Sequence, residues 1–344
     1  MWGRCISEFQ GYPGWKLPQI LADAGFEIVS LKSRTADYFL ALEHSSSQLS
    51  KISRWIPVAR RFLVSLEPRS VTPNQYSPRT RGKYGRVFVQ SPLQVYGGRN
   101  VDVIPAGLLP SREIIQKDLV ESSNARRQKG SIGIVNQNKF SFVAGSRYKL
   151  RRALVIKLAE MGVPVNLAGS NWNKSIVWHL IVQAKSALWL FFIEGYFPRA
   201  GNFQLPLPHI ANLHLHGRVN SELEFMRRFE FALVVENDPD YVSEKLFNAI
   251  RAGAVPIYVG PPLDLFGIPN SVAIQAPASA VSIAETFADS CSKQQIDSCR
   301  VAGRVWLSDA ETIETWNHDN GFTNIASRLY ELAQLERENG PEPL

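Results

Sequence analysis

The chain has 344 residues, of which 45% are hydrophobic and 20% charged, and its formal net charge at neutral pH is +7. That composition is typical of a globular protein with room for two domains of about 100 to 200 residues each. The positive charge favours anionic partners such as nucleotides, acidic glycans, phospholipid headgroups or, less specifically, nucleic acid.

The three cysteines of the chain, Cys5, Cys291 and Cys299, have neither metal-ligand nor CxxC spacing. Their small number excludes a disulfide scaffold and favours a reducing compartment, although a bridge between Cys291 and Cys299 stays open. The start of the chain has no apolar core followed by a small-residue cleavage site, so no secretory signal is predicted. The expected localisation is cytoplasmic, with peripheral attachment at the inner face of the membrane as a second option.

Short buried runs alternate with helical stretches in the first part of the chain, which is the pattern of an α/β protein. The predicted elements are helix 15–24, strands 25–31 and 38–42, helix 47–56, and strands 62–66 and 85–89. Residues 121–130 are polar and lack large apolar side chains, which predicts an interdomain linker. Residues 1–120 then form one domain and 131–335 another, followed by a frayed tail at 336–344.

The second domain is predicted to continue the same alternation. Its elements are strand 131–135, helix 146–161, strand 163–168, helix 220–228, strand 231–235, helix 246–250, strand 255–259 and a closing helical segment at 310–335. The longest apolar region, 176–197, is interrupted by polar residues, whereas a membrane-spanning helix needs about twenty nearly uninterrupted apolar ones. A buried or amphipathic segment is predicted there, with docking on a membrane surface as the alternative.

A dense polar cluster fills one strand-to-helix turn of the second domain. Its members are Glu236, Asn237, Asp238, Asp240, Tyr241, Ser243, Glu244 and Lys245. Open parallel sheets bind ligands at the carboxyl ends of their strands, where this turn lies. Ser243 is placed to cap the helix and to leave backbone N–H groups for an anion, to which Lys245 adds a positive charge.

The remaining groups of the cluster match the other parts of a nucleotide-sugar. Tyr241 offers a flat face to a base or a sugar, and Glu236 or Glu244 can accept hydrogen bonds from hydroxyl groups. The cluster therefore suits a nucleotide-sugar diphosphate. The alternative is a turn whose charges are only solvated helix caps.

Residues 236–262, ENDPDYVSEKLFNAIRAGAVPIYVGPP, resemble the signature of the α1,3-fucosyltransferase family, glycosyltransferase family 10. The resemblance implies the GT-B fold, an α/β architecture in which two Rossmann-like domains face a central cleft. It also implies that the C-terminal domain binds the donor GDP-fucose, while the N-terminal domain supplies acceptor contacts and the catalytic base. The loop between Asn237 and Asp240 is shorter than the spacing in the animal enzymes of that family.

A donor site follows from this resemblance. The predicted donor-binding residues are Arg147, Glu236, Asn237, Tyr241, Ser243, Glu244 and Lys245. Arg147, in SRYKLRRAL, resembles the family's arginine at the start of the first helix of the donor domain, where a guanidinium grips a diphosphate. The alternative for Arg147 is a solvated helix face, because five basic residues crowd that helix.

Glu67, in LEPRSVTPNQY, resembles the glutamate assigned as the family's catalytic base. Between Lys51 and Asn100 there are ten lysines and arginines, and Glu67 is the single carboxylate. Inverting transfer needs a carboxylate that takes the acceptor proton while the acceptor oxygen attacks the anomeric carbon opposite the leaving diphosphate. Arg147 and Lys245 are expected to stabilise the departing charge. The alternative for Glu67 is a salt-bridged surface residue.

Two patterns that imitate metal sites are discounted. The DxD-like pair Asp238 and Asp240 lies beside Lys245 and a helix terminus, which already supply neutralising charge, so neither a cofactor nor an essential divalent metal is expected. The second pattern is the histidine set His209, His214 and His216. Zinc sites need three or four well-placed ligands, so a satisfied or partly exposed histidine cluster is predicted instead.

The predicted function is an inverting glycosyltransferase that moves fucose from GDP-fucose to a hydroxyl of a glycan, in the manner of an α1,3/4-fucosyltransferase. The expected partners are a GDP-sugar and a glycan acceptor that is anionic or membrane-bound. Nucleic acid is not expected, because the basic residues lack regular aromatic interleaving. The alternatives are a GT-B transferase that uses another GDP-sugar and a catalytically weak module that binds a glycan or a nucleotide.

Overall fold

The computed structural model of the chain describes residues 3–7, 16–30, 33–94, 100–104, 107–192, 195–198, 204–281, 287 and 292–339. The chain divides into two compact units. The first unit comprises Met1–Leu108 and Glu314–Leu344, and the second comprises Leu109–Ile313. Each unit contains a parallel sheet with helices, as the α/β pattern predicted.

Strands and helices alternate along the described chain. The strands are β1 Gly3–Ser7, β2 Phe26–Val29, β3 Tyr38–Leu42, β4 Arg61–Ser65, β5 Arg86–Val89, β6 Val101–Val103, β7 Gln128–Val135, β8 Val165–Ala168, β9 Leu213–Gly217, β10 Phe229–Val235, β11 Val255–Val259 and β12 Ile274–Gln275. The α-helices are α1 Leu17–Asp23, α2 Ser46–Ile52, α3 Pro78–Arg81, α4 Arg112–Ser123, α5 Tyr148–Glu160, α6 Ile176–Phe192, α7 Glu222–Met226, α8 Glu244–Arg251, α9 Lys293–Ser308, α10 Ala310–Trp316 and α11 His318–Asn339.

The first unit has a six-stranded sheet in the order β2-β1-β3-β4-β5-β6, and every pair is parallel. One of its hydrophobic clusters joins Phe62 and Phe88 of the sheet to Leu17 of α1 and to Phe322 and Leu329 of α11. The last helix of the chain therefore completes the core of the first unit.

The second unit has a six-stranded parallel sheet in the order β12-β11-β10-β7-β8-β9. The central strands β10 and β11 are almost continuously apolar and buried, which parallel strands require when both sheet faces are covered. Their parallel pairing matches Val235 with Val259 at the carboxyl ends. Loops that leave these two ends start side by side, and this places the candidate site.

The predicted domain boundaries differ from those of the structure. The segment predicted as a linker forms the end of α4 and the start of β7, both within the second unit. Its polarity has a structural cause, because Glu121 pairs with Arg227 at 2.6 Å and Arg127 donates to the Ala252 carbonyl oxygen at 3.0 Å. The C-terminal helix belongs to the first unit rather than the second. Its helical residues extend through Asn339, beyond the predicted start of the frayed tail, and residues 340–344 lie outside the described residues.

The apolar region at 176–197 was predicted as a buried or amphipathic segment, and its observed exposure differs from the first of these options. It forms α6, whose buried side chains are His179, Gln183 and Leu190, while its large apolar side chains are mostly exposed. None of the helices in the described ranges combines the length and apolar character that crossing a bilayer requires.

Candidate functional site

The strand, turn and helix predicted from the sequence are all present at the centre of the second unit. β10 ends at Val235, and Ser243 precedes α8 in an extended conformation, with its hydroxyl accepting the Lys245 N–H at 3.4 Å. Helix α8 buries one apolar stripe, which consists of Leu246, Phe247, Ala249 and Ile250. The helix is followed by Gly253, whose φ of +69° lies in the left-handed region that favours glycine.

Glu236 fastens the turn to the helix start. Its side chain is 1% exposed, and Oε1 accepts the Ser243 N–H at 2.9 Å. Its own N–H donates to the carbonyl oxygen of Val259 on the neighbouring strand. Burial raises the pKa of Glu236 to about 7, against hydrogen bonds from Ser243 and the charge of Lys245, which lower it. Glu236 therefore shapes the turn from within, which differs from the predicted role of binding sugar hydroxyls.

The start of α5 holds the other side of the turn. The Arg147 N–H donates to the Asn237 carbonyl oxygen at 2.9 Å, and Arg147 Nη1 lies 3.4 Å from the Val259 carbonyl oxygen. Burial lowers the pKa of Arg147, while Tyr258, Glu236 and two neighbouring aspartates act in the opposite direction. A guanidinium stays charged in proteins, so the turn carries a fixed positive group.

Arg151 is a site residue that the sequence analysis did not single out. It is buried, and its Nη2 donates to the Val235 carbonyl oxygen at 2.8 Å and to Asn237 Oδ1 at 2.6 Å. Asn237 is thus held by Arg147 through its backbone and by Arg151 through its side chain. Arg147, for which a solvated helix face was the alternative, is half-buried. Arg151 and Arg152 are both buried. Their spacing from Tyr148, also buried, is the helical signal for an inward face.

Glu244 and Lys245 form an ion pair in the first turn of α8. Lys245 Nζ lies 2.7 Å from Glu244 Oε1. The Lys245 side chain is 22% exposed and the Glu244 side chain is 45% exposed. Burial raises the pKa of Glu244, but the Lys245 charge together with hydrogen bonds and the Arg151 charge brings it below its usual value. Burial likewise lowers the pKa of Lys245, but the charge and hydrogen bond of Glu244, with the charge of Glu236, bring it above its usual value. Both groups are therefore charged at neutral pH and partly accessible to a ligand.

Other predicted groups of the second unit are less accessible. Tyr241 is 8% exposed, so most of the flat face predicted to stack on a base or sugar is covered. Asp238 and Asp240 are also buried. On the edge strand β9, His216 Nε2 lies 2.9 Å from Asn166 Oδ1. Among the residues that the structure describes, no three His, Cys, Asp or Glu side chains are grouped so that they could hold a metal ion.

Glu67 lies in the first unit, just after β4, and it is exposed. Its backbone is fixed from both sides, because its N–H donates to Glu43 Oε1 at 2.8 Å and its carbonyl oxygen accepts the Tyr76 hydroxyl at 2.6 Å. The Gln75 side chain donates to the same carbonyl oxygen at 3.2 Å. This arrangement anchors the main chain of a carboxylate that solvent can reach, as a base that meets an external acceptor requires.

Glu43 is a second carboxylate at this strand end, and the sequence analysis missed it. It directly follows β3, the parallel neighbour of β4, and Oε1 also accepts the Leu66 N–H at 2.7 Å. Its φ of +62° is uncommon for a residue other than glycine. Burial raises the pKa of Glu43 to about 7, opposed by hydrogen bonds from Glu67, Leu66 and Gln75. The available signal was a glutamate directly after a short apolar strand, as at Glu67.

The similarity of the chain to known proteins establishes its fold but not its activity. No protein-family model matches the chain. Over 48 residues the chain is 46% identical to a fucosyltransferase-like protein of Arabidopsis thaliana, and this match spans 13% of the chain and 9% of that protein.

Solved structures resemble the fold over most of the chain. A UDP-forming α,α-trehalose-phosphate synthase from Burkholderia vietnamiensis superimposes with a TM-score of 0.53 and 9% identity, over 86% of this chain and 75% of its own. The α,α-trehalose 6-phosphate synthase from Burkholderia multivorans superimposes with a TM-score of 0.51 and 10% identity, over 87% of this chain and 72% of its own. The chain therefore has the GT-B fold of these glycosyltransferases, as predicted.

Proposed function

We propose that the protein is an inverting glycosyltransferase that transfers fucose from GDP-fucose to a hydroxyl of a glycan. The GT-B fold and the fucosyltransferase-like match support a glycosyltransferase. The single observation that carries the donor proposal is the turn after β10, where Arg147, the α8 N-terminus and the Glu244–Lys245 pair surround one strand end.

Positive charge at this turn suits a diphosphate. The first N–H groups of a helix and its dipole favour an anion, and Lys245 lies in that first turn. When the bond between the sugar and the diphosphate breaks, negative charge develops on the departing GDP. We infer that Arg147 and Lys245 stabilise that charge and that no divalent metal or other cofactor is needed. Tyr241, Ser243 and Asn237 then act mainly by holding the turn in shape.

Glu67 is proposed as the general base. Its carboxylate takes the proton of the acceptor hydroxyl while the acceptor oxygen forms a bond to the anomeric carbon. The bond from that carbon to the diphosphate oxygen breaks on the opposite face, and the configuration inverts. The ten lysines and arginines between Lys51 and Asn100 favour an acceptor that is anionic or membrane-bound.

A different nucleotide-sugar is the second candidate donor. Some structures of the same fold are UDP-forming enzymes, and the loop between Asn237 and Asp240 departs from the family spacing. A donor panel separates the candidates: purified protein is incubated with GDP-fucose, GDP-mannose or UDP-glucose and a mixture of glycans, and release of the nucleoside diphosphate is measured. Turnover of GDP-fucose alone is expected. Turnover of UDP-glucose or GDP-mannose without GDP-fucose would replace the proposed donor, and GDP binding without any turnover would indicate a binding module.

A further inference from the structure

Helix α6 of the second unit places polar side chains inward and apolar side chains outward. Its buried residues His179, Gln183 and Leu190 are four and seven positions apart, which defines one face of the helix. The Gln183 side chain donates to the Gln204 carbonyl oxygen and accepts the Gln204 N–H, both at 2.7 Å. On the inner face, hydrogen bonds hold Gln183, and Leu190 packs with Phe142 and Val143. Most other large apolar side chains of α6 are exposed.

The outer face of α6 is a continuous apolar surface. Its exposed large residues are Ile176, Val177, Leu180, Ile181, Leu188, Trp189, Phe191 and Phe192. Each is more than two-fifths exposed, and Phe192 is 72% exposed. Phe197, shortly after the helix, is 79% exposed. Soluble monomers rarely expose contiguous apolar surface on this scale, which marks a binding surface.

Charge identifies the occupant of this surface. Helix α6 contains no aspartate or glutamate, and the exposed Lys185 lies on the outer face, four residues after Ile181 and three before Leu188. Exposed Lys174 precedes the helix. Exposed Lys139 adjoins Phe140, whose ring lies 6.0 Å from that of Trp178 on α6. An apolar face with lysines on it and beside it is complementary to anionic headgroups above acyl chains.

We propose that the outer face of α6 docks on an anionic phospholipid membrane. Seventeen residues make a helix about 25 Å long, short of the roughly twenty residues that cross a bilayer, so the helix lies in the interface. Trp189 and the two phenylalanines enter the headgroup boundary, and the Lys185 stem lies along the apolar surface while its ammonium reaches phosphate.

A second copy of the chain fits this surface less well. In a two-fold interface the same patch meets itself, so each Lys185 would be buried against apolar side chains or the other lysine. Helix α6 offers no carboxylate to pair with it, and an unpaired buried ammonium is costly.

Vesicle flotation tests the proposal without reference to the sugar chemistry. The full chain is mixed with phosphatidylcholine vesicles, with or without phosphatidylserine, and the fraction that floats is measured at low and high salt. The protein is expected to partition at least about tenfold more strongly onto the anionic vesicles, and salt should weaken this binding. Equal partition onto both kinds of vesicle, or none onto either, overturns the proposal.

Variants locate the surface. Trp189→Ser with Phe192→Ser should lower partition at least about tenfold, because both apolar anchors are lost. The matched control is Val301→Ser with Val305→Ser, a pair of exposed apolar residues on α9, which should bind vesicles as the original chain does.

Charge substitutions at Lys185 cover the case in which the α6 double variant does not fold. Lys185→Glu should weaken binding to anionic vesicles, whereas Lys185→Arg should retain it. Unchanged flotation of both the α6 double variant and Lys185→Glu contradicts the proposal. A dimer in solution that the α6 substitutions dissociate, without vesicle binding by the original chain, would assign the surface to a second copy instead. GDP binding measured on the same samples keeps a failure of docking separate from a failure of the proposed donor site.

Discussion

Glu236 in the second unit and Glu43 in the first unit occupy matching positions. Each directly follows a buried parallel strand, and each carboxylate accepts backbone N–H groups from a later loop: Ser243 for Glu236, and Leu66 and Glu67 for Glu43. Burial raises the pKa of both to about 7. The two units thus use the same device, a buried carboxyl group that fixes a loop at the carboxyl end of the sheet.

The charges around the two carboxyl groups differ, because at Glu236 the effect of Lys245 exceeds the opposing effect of Glu244. The Lys245 charge lowers the pKa of Glu236, and Arg147 lies at the same strand end. The Glu67 charge raises the pKa of Glu43 instead. In the proposed reaction, the first strand end would face the anionic leaving group, and the second would hold the carboxylate that accepts the proton. The same buried carboxyl group would then serve different chemistry in the two units according to its neighbouring charges.

The largest expected effect comes from removing the base. Glu67→Gln keeps the shape of the side chain and cannot take a proton, so kcat for sugar transfer should fall about a thousandfold while GDP affinity stays unchanged. Steady-state kinetics and calorimetric GDP titration measure the two quantities. Glu331→Gln removes another exposed carboxylate of the same unit and should leave both unchanged. Normal turnover by Glu67→Gln would exclude this residue as the base and would make Glu43 the next candidate for that role.

The raised pKa values predict that stability falls as pH rises. Between about pH 4.5 and pH 7 the folded state keeps protons on Glu236 and Glu43 that the unfolded state has lost. The free energy of unfolding should therefore decrease with pH, by up to about 1.4 kcal/mol per pH unit for each group.

Urea unfolding at several pH values measures this slope. Glu236→Gln and Glu43→Gln keep an acceptor oxygen but remove the titratable group. Each should therefore reduce the pH dependence of the free energy of unfolding by the contribution of one carboxyl group. A slope that neither substitution changes would show that these carboxyl groups titrate normally in the fold.

The sequence predicted the second unit's site better than the first unit's, for a physical reason. Between β10 and α8 the strand, cap and helix are local features, so their residue types indicate their geometry directly. Glu43 approaches Glu67 through the parallel pairing of β3 and β4, which no local pattern reveals. Glu43 lies just before the interval from Lys51 to Asn100, so it was not among the carboxylates considered for the base.

Long-range polar contacts explain the other differences. Residues 121–130 looked like a linker because their polar side chains find partners more than a hundred residues later: Glu121 pairs with Arg227, and Arg127 donates to the Ala252 carbonyl oxygen. Gln183 on α6 faces inward because Gln204 satisfies it. Hydrophobic periodicity predicts a buried apolar face, and it fails where buried charges or amides replace that face.

A substitution at Arg147 tests whether the positive charge at the end of β10 binds the donor. Arg147→Met removes the guanidinium but keeps much of the stem, and GDP should bind about ten- to a hundredfold more weakly, the usual loss for charge-assisted hydrogen bonds. Lys149→Met is the matched control, because Lys149 is an exposed cation on the same helix. Calorimetric titration with GDP measures both. Equal losses in the two variants would indicate a general charge effect, and no loss in either would remove Arg147 from the donor site.

A substitution at Glu43 tests whether this carboxylate positions the loop that carries Glu67. Its expected effect is the smallest of those predicted. Glu43→Ala leaves the N–H groups of Leu66 and Glu67 without their acceptor, so the loop that carries the proposed base should loosen. We expect kcat to fall about tenfold with little change in KM for the donor, since the residue acts by positioning Glu67. Glu43→Gln keeps an acceptor oxygen and should restore most of kcat. If Glu43→Gln were as slow as Glu43→Ala, the negative charge of Glu43 would matter more than its hydrogen bonds, and the carboxyl group would itself be a candidate proton acceptor.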